Sequence, residues 1–359
     1  MSDFHTQRYQ IKGRGVTSNP KNRFEDFAVD AFDDGWPEIE EDRPLLRTKV
    51  HEEHARSMVT YNRSPDLPFD RSFNPYRGCE HGCVYCFARP SHSYLGFSAG
   101  LDFETQLSVR KNAAEILRKD LQKRSYKVAT IALGTNTDPY QPIEKKYEVT
   151  RACLNVLNEV SHPVAIVTRG TLIERDLDIL ADMAQRNLVR VGVSVTTLNG
   201  ALARRMEPRA PAPNRRLLMI KRLSEAGIPV RVMASPMIPS LTDHELEDIL
   251  KAGREAGATS ASWIMLRLPR EVSSLFEEFL TQHEPSRKNR IIGQLRDMHD
   301  GKLYSADWHK RMQGTGPYAA LLNTRFHVAV KKLGLATKVA RLDCSQFLGS
   351  ATQGQLSLF

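Results

Sequence analysis

The stretch RGCEHGCVYCF, residues 77–87, gathers Cys79, Cys83 and Cys86, three of the chain's five cysteines, into eight positions. At a cysteine frequency of about 0.014, chance produces this spacing in roughly one chain in a thousand of this length. A structural zinc site closes with four protein ligands. Here the fourth would have to be His81, inside the loop, or His92 beyond it, and no second cysteine pair follows. An iron–sulfur cube suits the arithmetic better, because thiolates hold three of its irons and leave the fourth open. An open iron is a reaction site.

Outward from this loop, the composition is that of an ordinary globule, with 41% hydrophobic and 26% charged residues in 359. A chain of this length buries a large core without disulfides. The odd cysteine count and the lack of an apolar leader point to a reducing compartment and a cytoplasmic protein. No run approaches the roughly 18 apolar residues of a membrane span, so no membrane partner is expected. Lys and Arg number 51 against 42 Asp and Glu, a net +9 that favours anionic partners, nucleic acid among them.

Residues 1–68 read as an N-terminal extension. Residues 13–24 are basic and punctuated by Gly, Asn and Pro, residues 30–42 are acidic, and neither has a sustained period, so both read as loop or partly ordered arm. From Ser72 the pattern changes. Apolar runs at 127–134, 163–169, 188–195, 228–235 and 258–266 alternate with amphipathic stretches at 109–123, 143–159, 172–185, 214–226 and 243–256. Such alternation means parallel strands joined by right-handed helical crossovers. With a short strand ahead of Cys79 there are six βα units, which suits a partial barrel open on one side. The chemistry of parallel sheets sits at the carboxyl ends of the strands, and the cysteines fall in the loop after the first one. Residues 69–270 are the expected barrel, 271–343 a C-terminal helical region and 344–359 a flexible tail.

The three-and-two spacing of the cysteines, with Tyr85 before the last, resembles the radical S-adenosylmethionine (SAM) superfamily. Further features, NPYRGCEHGCVYCFAR, LDFE, VRKNA, TDPYQPIE, VTR and SPMIP, resemble its spore photoproduct lyase-like or "DNA repair photolyase"-like branch over roughly 69–335. The resemblance implies a partial (βα)6 TIM-like barrel holding a 4Fe-4S cluster on Cys79, Cys83 and Cys86, whose open iron chelates SAM. One electron, from a donor such as flavodoxin or ferredoxin, then cleaves SAM to methionine and a 5′-deoxyadenosyl radical that takes hydrogen from a substrate. It also implies that Arg169 stands where the lyase has a lysine on the SAM carboxylate, and Ser194 where a serine holds the cofactor. The lyase's hydrogen-donating cysteine is matched by Thr135, a poor hydrogen-atom donor, so repair of the spore lesion itself is not implied. Tyr85, Tyr140, Cys153 and Cys344 are the other donor candidates.

Further candidate contacts follow from position. Gly134, Thr135 and Asn136, with Thr137 and Asp138, form a turn after the second strand that either meets cofactor and substrate or satisfies its own backbone. Glu144 is expected to cap a helix. Thr196 ends the fourth strand beside Ser194. Arg209 follows it with Arg204, Arg205 and Glu207, which are either ligand contacts or solvated surface groups. Ser235 and Ile238 follow the fifth strand, where the superfamily contacts adenine. The terminal QLSLF, residues 355–359, resembles the peptides by which bacterial repair proteins dock on the DNA sliding clamp, with Gln355, Leu356, Leu358 and Phe359 as anchors; the alternative is that it folds back on the core. Together these readings favour a radical SAM enzyme acting on DNA. A peptide or small-molecule substrate, or a non-catalytic iron–sulfur or zinc protein at the replication machinery, are the alternatives.

Overall fold

The computed structural model describes residues 13–24 and 46–349. Among these, the strands are β1 (Lys49–Glu53), β2 (Thr60–Tyr61), β3 (Arg71–Phe73), β4 (Tyr76–Arg77), β5 (Gln106–Arg110), β6 (Ile131–Leu133), β7 (Val164–Thr168), β8 (Val189–Ser194), β9 (Val230–Met237) and β10 (Ser260–Met265). The main sheet runs β10-β9-β8-β7-β6-β3-β2. Its strands from β3 to β10 are parallel, and β2 joins antiparallel at the edge. These six parallel strands are the open (βα) sheet expected of the sequence. Strands buried on both faces need continuous apolar runs, and β8, VRVGVS, is buried at all but one position.

The crossover helices bury one stripe each against the sheet. Helix Val149–Glu159 turns Val149, Cys153, Leu154, Val156 and Leu157 inward, so Cys153 is a core residue. Several boundaries differ from expectation: the run 127–134 is a strand only over Ile131–Leu133, and the helices expected from 172 and 243 open with 3-10 turns before Leu177 and Leu246. The helix expected over 109–123 spans Ala113–Leu121, because β5 pairs with β1 and β4 in a small second sheet that the sequence did not signal. The helix expected over 143–159 breaks at Glu148, which adopts a left-handed φ of 52°. There the buried Glu144 carboxylate accepts the N–H groups of Thr150 at 2.9 Å and Arg151 at 3.3 Å, capping the second segment.

Helices Glu271–His283 and Pro285–Met298 pack onto the cysteine loop. Cys83, Val84 and Tyr85 share one apolar cluster with Leu202, Ile238, Phe276 and Leu295. The sheet edges also meet. Met312 accepts from the N–H of Met265 in β10 at 2.8 Å, and its neighbour Arg311 grips Asp66, in the β2–β3 connection, with bonds of 2.6 and 2.7 Å.

Two terminal segments are more ordered than the sequence suggested. Residues 13–24 have no regular structure, yet Arg14, Val16 and Asn22 are buried. Residues 344–349, expected to begin a flexible tail, are pinned: Leu348 N–H donates to Val160 O at 2.9 Å, and Phe347 packs on Tyr126 and His162. Buried aromatic area outweighs the polar leader that suggested flexibility. The acidic stretch 30–42 and the anchors Gln355, Leu356, Leu358 and Phe359 lie outside the described residues.

Candidate active site

The cysteine loop is built on backbone that only small residues allow. Gly82 has a φ of 66°, and a Cβ there would press on the Glu104 carboxylate. Gly15 of the N-terminal arm approaches so closely that its Cβ would collide with the Gly82 carbonyl, while its N–H donates to Glu104 at 2.9 Å. Arg89 lies beneath, fully buried, ion-paired to Glu104 and donating to Cys83 O at 3.0 Å and Gly100 O at 2.9 Å. The arm, Glu104 and Arg89 thus fix the loop's shape from one side. Val84 N–H, donating to Met206 O at 3.0 Å, ties it from the other.

Cys79 and Cys83 are buried, Cys86 is half-buried, and none forms a disulfide. Burial pushes the Cys83 thiol up to about 12, against the pull of Arg169, and raises Cys79 well above the ordinary range. Thiolates here therefore need positive charge beside them. Among the described residues no three His, Cys, Asp or Glu side chains converge on a point fit for a single metal ion. A cube held by one thiolate per iron asks for something else, sulfurs spread around a volume, and three unbridged thiols on one short loop have that chemistry.

Beside Cys83 lies a buried polar network. Arg169 follows β7, and its Nη1 donates to Cys83 Sγ at 3.0 Å, Tyr85 OH at 2.8 Å and Glu207 Oε1 at 2.8 Å. Glu207 also accepts from Thr196 Oγ1 at 3.0 Å, from the Tyr85 hydroxyl and from Arg216. Thr196 Oγ1 also lies 3.1 Å from Ser235 O, so its one hydrogen is shared between that carbonyl and Glu207, and Arg216 Nη1 donates to Ser194 O at 3.2 Å. The carboxyl ends of β7, β8 and β9 are in this way joined to the cysteine loop. Two guanidinium groups face one carboxylate, so the network retains a positive charge. Ser235 Oγ is buried at its edge with no hydrogen-bond partner, an unmet donor that a bound ligand would satisfy.

The turn after β6 divides between fold and site. Asp138 accepts the N–H groups of Tyr140 and Arg169, both at 2.9 Å, and the Thr168 hydroxyl at 2.6 Å. Burial acts to raise its carboxyl, but His81 and these donors outweigh it and hold it near 2. Thr137 Oγ1 donates to Tyr76 O at 3.0 Å. Only the Asp138–Tyr140 bond lies within the turn; the other bonds tie Thr137 to β4 and Asp138 to the end of β7, so both side chains are engaged in holding the fold. Gly134, at a φ of 86°, serves backbone approach, since a Cβ would meet the Val167 carbonyl. Thr135 and Asn136 remain half-buried, Asn136 within reach of Ser91 Oγ at 3.4 Å.

Other candidates lie apart from the network. Tyr140 packs in the main core beside Asp176 and Glu144, not in the cluster around Cys83. Ile238 is buried in the cluster that contains Cys83. Arg209 pairs with Glu80 at 3.1 Å, and Cys344 sits half-buried in the pinned C-terminal segment. Glu207 is not the surface group its arginine-rich surroundings suggested; it is fully buried between Arg169 and Arg216. Arg216 escaped sequence reasoning, although a signal existed. It occupies the apolar stripe of helix Pro213–Glu225 with Met219, Ile220 and Leu223, where a charge demands a buried partner. Arg89 is hidden likewise, since it ends the NPYRGCEHGCVYCFAR stretch and its buried partner Glu104 lies 15 residues further on.

Residues 73–253, half of the chain, match the radical SAM superfamily. The chain belongs to that superfamily. It is a radical SAM enzyme, and the family's chemistry is SAM cleavage with radical generation, which implies the iron–sulfur and SAM cofactors the cysteine spacing suggested. An uncharacterized protein of Mycobacterium tuberculosis is 39% identical over 245 residues, covering 67% of this chain and 72% of that one. Another, from Methanocaldococcus jannaschii, is 29% identical over 172 residues, covering 48% and 62%. Among solved structures, spore photoproduct lyase complexed with dinucleoside spore photoproduct superposes with a TM-score of 0.57 over 80% of each chain at 13% identity, a likeness of fold. No helix of this radical SAM protein, among the described residues, is long and apolar enough to cross a membrane.

Proposed function

We propose that Cys79, Cys83 and Cys86 hold a 4Fe-4S cluster, that Tyr85, Arg169, Ser194, Thr196 and Ser235 line the SAM pocket, and that the substrate is nucleic acid, with DNA favoured. The observation that carries the cofactor reading is the Arg169 guanidinium, 3.0 Å from Cys83 Sγ and backed by Glu207. When bound, cluster and SAM supply one-electron cleavage of the sulfonium and a carbon radical able to abstract hydrogen. The protein's own part is electrostatic and steric. Arg169 offers a planar fork suited to a carboxylate, and its backbone is fixed by Asp138. Arg216 neutralises Glu207, so Arg169 keeps its charge for the ligand. The Ser235 hydroxyl gains the partner it lacks, and the apolar cluster around Cys83 keeps water from the reacting centre.

The substrate reading draws support from the net +9 and from the lyase's dinucleoside complex. Membership of the lyase-like branch, an electron donor such as flavodoxin or ferredoxin, and docking of the 355–359 tail on the sliding clamp belong to the same proposal. The test is anaerobic binding of the reconstituted full chain to oligonucleotides across a salt series. A nucleic-acid enzyme shows log affinity falling linearly with log salt, by roughly 0.9 per neutralised phosphate on duplex or 0.7 on single strands. Absent or salt-insensitive binding favours a peptide or small-molecule substrate.

A further inference from the structure

The barrel mouth carries a second cationic group outside the Glu207 network. Arg267 lies just beyond β10, on the carboxyl-end rim, and its guanidinium sits 4.6 Å from the ring centroid of Phe87, the residue after Cys86. Tyr304 flanks it at 5.9 Å. The loop after the last parallel strand and the cysteine loop therefore meet here, beside the proposed cluster.

The donor accounting at Arg267 is incomplete. Nη2 donates to Tyr304 OH at a long 3.3 Å, Nη1 reaches only the Met312 thioether at 3.8 Å, and Nε is buried with no partner. Arg267 has no carboxylate partner among the described residues. Other arginines differ: Arg311 pairs with Asp66, Arg205 with Glu284, Arg209 with Glu80 and Arg23 with Glu271. A half-buried guanidinium with aromatic rings at 4.6 and 5.9 Å and no carboxylate partner among the described residues is suited to an anionic ligand. Phe87 is 42% exposed, so an apolar ring is open to solvent beside the cation. A charge-bearing fork next to an exposed aromatic matches the two faces of one nucleotide, a phosphate and a flat base.

We propose that Arg267, framed by Phe87 and Tyr304, binds a backbone phosphate of a single-stranded or unstacked nucleotide while Phe87 stacks against a base, fixing the substrate's register beside the cysteine loop. This rests on the nucleic-acid reading above and gives it a location. The thioether and hydroxyl near Arg267 orient the fork without neutralising it.

The test uses the anaerobically reconstituted full chain and a single-stranded oligonucleotide carrying one 2-aminopurine, followed by anisotropy and by fluorescence quenching. Arg267→Gln is expected to weaken binding about tenfold and to make the salt slope shallower by roughly 0.7, the loss of one phosphate contact. Arg267→Lys retains the slope. Phe87→Leu is expected to keep the slope but lose quenching and roughly 5- to 160-fold in affinity, given roughly 1–3 kcal/mol per stacked base. Cluster absorbance and thermal unfolding confirm that each variant is folded. If the wild-type chain binds with a steep slope and Arg267→Gln binds identically, this inference is overturned and the nucleic-acid reading stands. If the wild-type chain binds no oligonucleotide, both fall.

Discussion

Single residues decide the charge of the cofactor pocket. Glu207 sits between Arg169 and Arg216, and deleting its carboxylate leaves two buried guanidinium groups facing each other. Glu207→Ala should therefore cost about 3–5 kcal/mol of stability, measured by urea unfolding of the apo chain. Arg169→Ala should behave differently, weakening SAM binding by about ten- to a hundredfold with little change in unfolding midpoint, as read by equilibrium dialysis; equal loss in both assays would make Arg169 structural. At this scale the sequence was legible where chemistry is rare. Three cysteines at fixed spacing identify themselves, whereas Glu207 reads as one more charge in RRMEPRAP, and its burial is set by Arg216 from the next helix. Pairings across elements leave no local signature.

Elements hold these residues by close backbone approach and buried aromatics. The N-terminal arm reaches the cysteine loop at Gly15, and Gly15→Val should push it off Gly82, costing about 1–3 kcal/mol and lowering iron retention after anaerobic reconstitution. At the opposite side, His162 is buried, bonded to Tyr126 OH at 2.7 Å and packed by Phe347 of the C-terminal segment. Burial lowers its pKa from the ordinary 6.5 to about 4. The unfolded chain therefore binds this proton first, so the contribution is whole above about pH 6.5 and is lost progressively as pH falls to 4. The loss is on the order of 3 kcal/mol. Comparing pH-dependent unfolding of the wild type with His162→Gln isolates it; parallel profiles would contradict the assignment. The parallel strands and their helices were readable from apolar periodicity, but the β1-β5-β4 sheet was not, since its short strands lack a run long enough to stand out. The break at Glu148 likewise depends on Glu144 capping the next segment rather than on a local breaker residue.

Across the whole molecule, an open sheet of six parallel strands is closed by contacts between its far edges. Asp66, from the β2–β3 connection, and Arg311, beside the β10 edge, form a two-bond ion pair, with Phe87 and Arg267 meeting at the rim. Asp66→Asn should speed backbone hydrogen exchange in residues 299–315 while leaving the β6–β9 core protected; unchanged exchange would mean the pair does not hold this side shut. The partial barrel followed from counting βα units, but nothing in the sequence linked Asp66 to Arg311, because the contact spans the full width of the sheet. The central claim is that three thiolates hold a cluster whose spare iron binds SAM. Electron paramagnetic resonance of the reduced, anaerobically reconstituted protein, with and without SAM, tests it most directly. The account predicts a cluster signal that shifts on SAM addition and disappears in Cys79→Ala, Cys83→Ala and Cys86→Ala variants; a signal indifferent to SAM, or a protein that takes up zinc in place of the cluster, would contradict it.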